Sequence, residues 1–267
     1  MTDLSRALDF ALEAAEAAGK IALHHYQQEL DAQRKADGTW VTKADWAVEA
    51  QVRIRIARAF PNHNILGEEE GLSAAGGGAP HEGAPTWIVD PIDGTNNYIA
   101  GIPIWATLMA LRVDGESLAG VCHAPMLNET YDGAVGLGAR MNGKQISVDP
   151  IRRFEDATLC HAGAGSFRDS NTLDLYERLV ARAWRDRGFG DFWGHMLVAR
   201  GAAHVMVEPT LKLWDVAPLE PIVSEAGGRI TGPTGTPWTE DQMCITTCGT
   251  LHDEVLELVH GTHGPGG

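Results

Sequence analysis

Asp90 and Asp93 stand three residues apart in the stretch WIVDPIDGTNNY (87–98), directly after an apolar run and just before Gly94 and the hydroxyl of Thr95. Two carboxylates this close raise each other's pKa and resist joint ionisation unless a cation neutralises them. A hard divalent metal is the simplest such cation, because oxygen ligands suit magnesium and carboxylates can bridge two ions. Read alone, DPIDG is equally a proline-initiated turn ended by glycine. Two further acids shift that balance: Glu68 follows another short apolar segment in LGEEEG, and Asp215 stands at the expected start of a helix in LWDVAP. Singly, the acidic run 68–70 reads as a solvated face and Asp215 as a helix cap. As a set they put acids at the ends of successive elements, beside Gly94 and Thr95, whose amides can point at an anion from the start of a short helix.

The elements that must hold these groups follow from periodicity. Leu4, Leu8, Ala11, Leu12, Ala15 and Ala18 recur at helical spacing near the N-terminus. Thr42, three residues before Asp45, resembles a capping box opening the helix TKADWAVEAQVRIRIARAF, with Val48, Val52, Ile56 and Ala59 on one face. NILG (64–67) predicts a short strand, LSAAGGGAPHEGAP (72–85) a flexible, turn-rich loop, and TWIVD (86–90) a strand buried on both faces. Apolar runs flanking Asp114 and Gly115 predict an antiparallel meander from Trp105 to Val148. Beyond Asp149 and Pro150 the pattern becomes strand 157–163, helix 172–185, helix 192–202, strand 204–209 and helix 214–228. Pro221 sits awkwardly inside the last of these, so that helix is kinked or starts elsewhere. We expect layered α and β with a mixed sheet in each half: 1–150, carrying most of the acids, and 151–267, carrying Asp215 and substrate-pocket residues.

Composition narrows the partners. The 267 residues carry a formal charge of −15, from 36 acids against 21 bases, and so negative a surface repels phosphate backbones and anionic headgroups. Nucleic acid and membrane are therefore excluded as partners, whereas a small anionic substrate can still bind through metal cations. No basic start followed by an apolar block opens the chain, and IPIWATLMAL falls well short of the roughly 20 apolar residues that span a bilayer. Cys122, Cys160, Cys244 and Cys248 form no C-x-x-C pair, which suits reduced thiols in the cytoplasm. The glycine-rich pieces GAGSFR and GAVGLGAR lack dinucleotide-binding spacing and read as strand-end turns.

WIVDPIDGT, with GEE upstream and WDVAP…EAGG downstream, resembles the inositol monophosphatase superfamily of magnesium-dependent phosphatases, in the right order and spacing from about Thr42 to Gly228. The resemblance implies an αβαβα sandwich, often dimeric, with the active site between two halves and two or three magnesium ions in it. It implies that Glu68, Asp90 and the carbonyl of Ile92 hold one ion, and that Asp90, Asp93 and Asp215 hold a second. Asp45 matches the acid that supports the nucleophilic water and a third, weaker ion, and Thr95 the hydroxyl that orients this water. Gly94 and Thr95 would bind the phosphate through their amides. Glu69, Glu70 and the 71–85 loop receive no role.

The substrate pocket departs from the inositol enzymes. GFGDFWGHMLVARG brings an acid at Asp191 after Gly190, with Phe192, Trp193 and His195 as bulk, where those enzymes usually carry a small hydroxyl residue and alanine. An acid beside aromatic rings suits a substrate with an ammonium group and a flat ring. This pattern looks like the histidinol-phosphate phosphatases of the superfamily, which act in histidine biosynthesis, and Glu208 matches a position contacting the substrate's alcohol part. Asp191 as a helix cap and the rings as core packing remain open at this level. So does an inositol-1-monophosphatase or broad sugar phosphatase; a non-catalytic metal or phosphate sensor would be expected to have lost a ligand, and every ligand position is filled.

Overall fold

The computed structural model describes residues 3–28, 30–36 and 38–261. Helix α1 (Leu4–His25) buries Ala7, Ala11, Ala14, Ala15, Ala18 and Ala22, small side chains that let it lie close on its neighbours. A two-stranded hairpin, β1 (Gln33–Arg34) with β2 (Trp40–Val41), leads into α2 (Lys43–Ala59). The capping box is present: the Thr42 hydroxyl accepts from Ala44 N at 3.1 Å, and the Asp45 carboxylate accepts from Thr42 N at 2.8 Å. Val48, Val52 and Ile56 are buried along one face of α2.

Eight strands then form the first sheet: β3 (Asn64–Gly67), β4 (Gly71–Ala74), β5 (Thr86–Asp93), β6 (Ala106–Val113), β7 (Glu116–Ala124), β8 (Glu129–Ala134), β9 (Gly138–Met141) and β10 (Lys144–Gln145), with α3 (Thr95–Ala100) after β5. Their order is β10-β9-β8-β7-β6-β5-β3-β4, antiparallel except for the parallel pair β3 and β5. Residues 71–74, expected within a loop, instead pair with β3 as a hairpin strand, which Gly71 permits by turning at φ +66°. In the second half, β11 (Thr158–His161), α4 (Ala164–Asp169), α5 (Leu173–Arg182), β12 (Arg185–Arg187), α6 (Asp191–Ala199), β13 (Val205–Glu208), α7 (Leu213–Val216), α8 (Leu219–Glu225), β14 (Arg229–Thr231), β15 (Cys244–Thr247) and α9 (His252–His260) give a mixed five-stranded sheet, order β12-β11-β13-β15-β14.

The layers run α, β, α, β, α. Helices α1 and α2 cover one face of the first sheet; α6 and α8 lie between the sheets; α5 and α9 pack with one another on the far side of the second. Helix α6 serves both sheets, with Phe192, Met196 and Ala199 in a core shared with β6 to β8, and Leu197 and Val198 in one shared with β11 and β13. Among the described residues no helix is long and apolar enough to cross a membrane.

Three further expectations need correcting. GAGSFR forms the short helix α4 rather than a turn. The helix 172–185 stops at Arg182, because Ala183 turns extended and Arg185–Arg187 join the sheet edge beside β11. The helix 214–228 is two helices, α7 and α8, with Pro218 capping the second; Pro221 then lies in the first turn, where a backbone N–H has no intrahelical partner to lose.

Gly120 and Gly133 let α8 approach the first sheet. A Cβ on Gly120 would stand 2.0 Å from the Pro218 carbonyl oxygen, and one on Gly133 2.9 Å from Ile222 Cα. Because the atoms met are backbone, Gly120→Ala is expected to destabilise by about 2 kcal/mol or more, at the upper end of overpacking costs. Urea unfolding measures this; a loss below about 0.5 kcal/mol would show that α8 has room to shift.

Candidate active site

Parallel neighbours end on the same sheet edge, and this brings the first two acids together. Gly67 on β3 is registered with Val89 on β5, and Glu68 N donates to Val89 O at 3.1 Å, so Glu68 and Asp90 leave the sheet side by side. In a regular strand residues three apart face opposite ways. Between Asp90 and Asp93 the register against β6 slips, and this irregularity turns both carboxylates toward one site. Ile92 N donates to Asp90 Oδ1 at 3.0 Å, Gly94 turns the chain at φ +81°, and the Thr95 hydroxyl donates to Ile92 O at 2.9 Å. Tyr98, buried, pins α3 by donating to Ala22 O at 2.6 Å. Asp215, in the first turn of α7, accepts from Lys212 N at 2.7 Å.

Asp90, Asp93 and Asp215 each offer an oxygen, all within 4.8 Å of one another. Burial raises the pKa of Asp90 well above the carboxylate range, with Glu68, Asp93 and Asp215 adding to it. Burial, Asp191 and Asp215 do the same to Asp93, while Phe192 N, donating at 2.8 Å, opposes. Asp215 is pushed up to about 8 by burial and by Glu68 and Glu208, against the Lys212 amide. Asp45 is raised to about 6 by burial, although the Thr42 hydroxyl and amide hold its Oδ2 at 2.6 and 2.8 Å; its Oδ1 is buried with no hydrogen-bond partner among the described residues. A cluster of oxygen donors that repel one another, with one buried oxygen left unpaired beside them, fits a hard divalent cation.

Glu68, Asp90, Asp93 and Asp215 line a cavity of about 710 Å³ that also takes in Ile92, Gly94, Thr95, Asp191 and Glu208, whereas Asp45 is wholly buried and does not line it. Asp191 opens α6 at φ +57°, its carboxylate accepting from Asn97 Nδ2 at 3.2 Å, while its amide donates to Glu208 Oε1 at 3.3 Å. Burial and Glu208 push Asp191 up to about 7. Gly190 leaves space for Glu208, whose Oε1 would lie 3.3 Å from a Cβ there. Behind Glu208, the wholly buried His195 lies 3.4 Å from Oε2 and 2.8 Å from the Thr246 hydroxyl.

Trp193, expected at the substrate pocket, does not line this cavity. Two positions along a helix from Asp191 it turns to the other side, where its indole N–H donates to Glu129 Oε2 at 3.1 Å, beside Tyr131 and Arg200. Phe192 is likewise core. Lys35 was not foreseen: its Nζ lies 2.7 Å from both Glu68 and Glu69, and although burial opposes its charge, these two acids hold its pKa above the usual value. Burial raises Glu69 to about 7 in spite of that contact. Asn97, which steadies Asp191, was also missed; nothing in its spacing separates it from its neighbours.

The model of the inositol monophosphatase family matches residues 3–262. The chain is 39% identical to the histidinol-phosphatase of Mycobacterium tuberculosis over 227 residues, 83% of this chain and 85% of that one. It is 34% identical to that of Streptomyces coelicolor, covering 96% of this chain and 97% of its relative. An inositol monophosphatase structure from Anabaena superposes with a TM-score of 0.84 at 29% identity, over 97% of each chain.

The raised carboxyl pKa values have a consequence for stability. A group that binds its proton more tightly when folded stabilises fully below its unfolded pKa, and that contribution is lost as pH rises through the folded value. For Asp45, Asp191 and Asp215 the window runs from about 4 to about 8. In excess chelator the melting temperature should therefore fall between pH 5 and pH 8, and magnesium should restore more of it at pH 8. Scanning calorimetry at both pH values reads this; a metal-free protein that melts higher at pH 8 would contradict it.

Proposed function

Because this chain belongs to the inositol monophosphatase family and is a phosphoric monoester hydrolase, we propose that its substrate is histidinol phosphate and its metal is magnesium. The observation that carries the substrate is the pair Asp191 and Glu208 on the cavity wall, a partly buried and a buried acid beside the aspartate cluster. Histidinol phosphate brings an ammonium group that would relieve them. The relatives named histidinol-phosphatase support the same reading.

In this reading Glu68, Asp90 and the Ile92 carbonyl would hold one ion, and Asp90, Asp93 and Asp215 would hold a second, with Asp45 placed to support a third and weaker one. When bound, magnesium supplies a Lewis acid that lowers the pKa of water and neutralises phosphate charge. The chain's own groups do the rest. Asp45 Oδ1, without a hydrogen-bond partner among the described residues, would accept a hydrogen bond from the attacking water. The Thr95 hydroxyl, which lies against Ile92 O, orients that water from the other side. The amides of Gly94 and Thr95 hold phosphate oxygens, fixed dipoles where charge builds up. Asp191 and Glu208 hold the ammonium end, so that the ester is presented in line. A homodimer and a cytoplasmic location belong to this reading as well, the latter supported by four free, buried cysteines.

Phosphate release from a panel of esters tests the assignment. Asp191→Asn keeps the shape but removes a charge-assisted contact worth roughly 1.5 to 3 kcal/mol, or about ten-fold to over a hundred-fold in kcat/KM for histidinol phosphate. Hydrolysis of inositol 1-phosphate should change little. Equal losses on every ester would mark Asp191 as a structural residue, and a wild-type preference for inositol phosphate would replace histidinol phosphate with the inositol or sugar-phosphate reading.

A further inference from the structure

Glu49 is a wholly buried carboxylate in the middle of α2, away from the cavity, and it is bonded on every side. Its Oε2 accepts from Glu69 N at 2.8 Å, and its Oε1 accepts from Glu70 N at 3.0 Å and from Arg53 Nε at 2.8 Å. Arg53 continues outward, donating to Ser73 Oγ at 3.0 Å and to Gly71 O at 2.6 Å. The carboxylate fills the space that a side chain at position 67 would need: a Cβ on Gly67 would lie 2.1 Å from Glu49 Oε1. The two residues whose amides it holds directly follow Glu68, and Glu68 N is itself held by Val89 O at 3.1 Å. Three successive amides, those of residues 68, 69 and 70, are thus tied to fixed acceptors. With these amides fixed, the backbone that carries the Glu68 side chain has little freedom to rotate.

From this geometry we infer that Glu49 is a positioning residue for the metal site, aiming Glu68 at the aspartate cluster from α2 without touching the ion. The inference rests on the reading of Glu68 as a metal ligand. It explains why a helix spends a buried charge there. A neutral amide offers a single acceptor oxygen, whereas the turn presents two N–H groups and a guanidinium, which a carboxylate accepts together. Arg53 supplies the countercharge that makes the burial tolerable and extends the clamp across the β3–β4 hairpin.

Magnesium titration calorimetry on the full chain tests the role directly. Glu49→Gln keeps the volume but cannot accept from all three donors, and it should raise the magnesium dissociation constant ten-fold to a hundred-fold, as loss of an outer partner of a metal ligand does. Hydrolysis at saturating magnesium should return to within about three-fold of wild type, since the ligands themselves remain. A role confined to stability would lower the melting temperature in chelator and leave the dissociation constant unchanged, which would overturn the inference. Should Glu49→Gln fail to fold, Arg53→Lys keeps the charge while losing the bonds to Ser73 and Gly71; it should weaken magnesium in the same direction by a smaller factor, and an unchanged constant would again overturn the role. Glu68→Gln separates the two failures: if it leaves magnesium binding intact the ligand assignment falls, and if it weakens binding while Glu49→Gln does not, only the positioning role falls.

Discussion

Like charges held together at the end of β5 are the constraint on which the rest of this molecule turns. Two unit charges about 4 Å apart repel by about 4 kcal/mol at an effective dielectric constant near 20, and Asp90, Asp93 and Asp215 meet within 4.8 Å with Glu68 and Asp191 close behind. The chain meets this cost with small, separate devices. Backbone amides of Ile92, Phe192 and Lys212 donate to the three aspartates, Lys35 reaches Glu68 and Glu69, and protons are held more tightly than usual. None of these cancels the repulsion within the cluster, and a divalent cation does so in one step.

The same constraint accounts for the way the two sheets meet. Asp90 and Asp93 come from the first sheet, Asp215 from α7, and Asp191 from α6, so the site exists only where the layers are pressed together. Close approach of α8 over Gly120 and Gly133 brings the α7–α8 segment onto the first sheet. Helix α6, packed between the sheets, makes its contact through an amide: Phe192 N donates to Asp93, while Asp191, one residue earlier, faces the cavity. In the proposed function, substrate recognition and metal binding would thereby be joined through two consecutive residues of one helix.

Much of this was legible from local signals. Thr42 and Asp45 declared the start of α2, NILG coincides with β3, Glu68, Asp90 and Asp93 stand at strand ends, where side chains leave a sheet for a site, and Asp215 stands at a helix start as expected. What escaped was non-local. Lys35 meets Glu68 and Glu69 across 33 and 34 residues, and Glu49 meets the amides of Glu69 and Glu70 across 20 and 21, with no periodicity to announce either. Trp193 was misjudged because an aromatic next to an acid looks like a pocket wall, whereas a step of two residues along a helix turns it to the opposite side. The strand β4 was hidden by its glycine-rich surroundings, since pairing with β3 rather than intrinsic propensity makes it a strand.

The most direct measurement of the central claim is the number of protons released when magnesium binds, obtained by calorimetry near pH 7 in buffers of different ionisation enthalpy. If the carboxylates share their site only by holding protons in the absence of a cation, magnesium must displace those protons. The account predicts net release on binding, shrinking as pH is raised past about 8, where Asp215 loses its own proton without the metal. Magnesium binding with no proton release at pH 7, or with proton uptake, would contradict it.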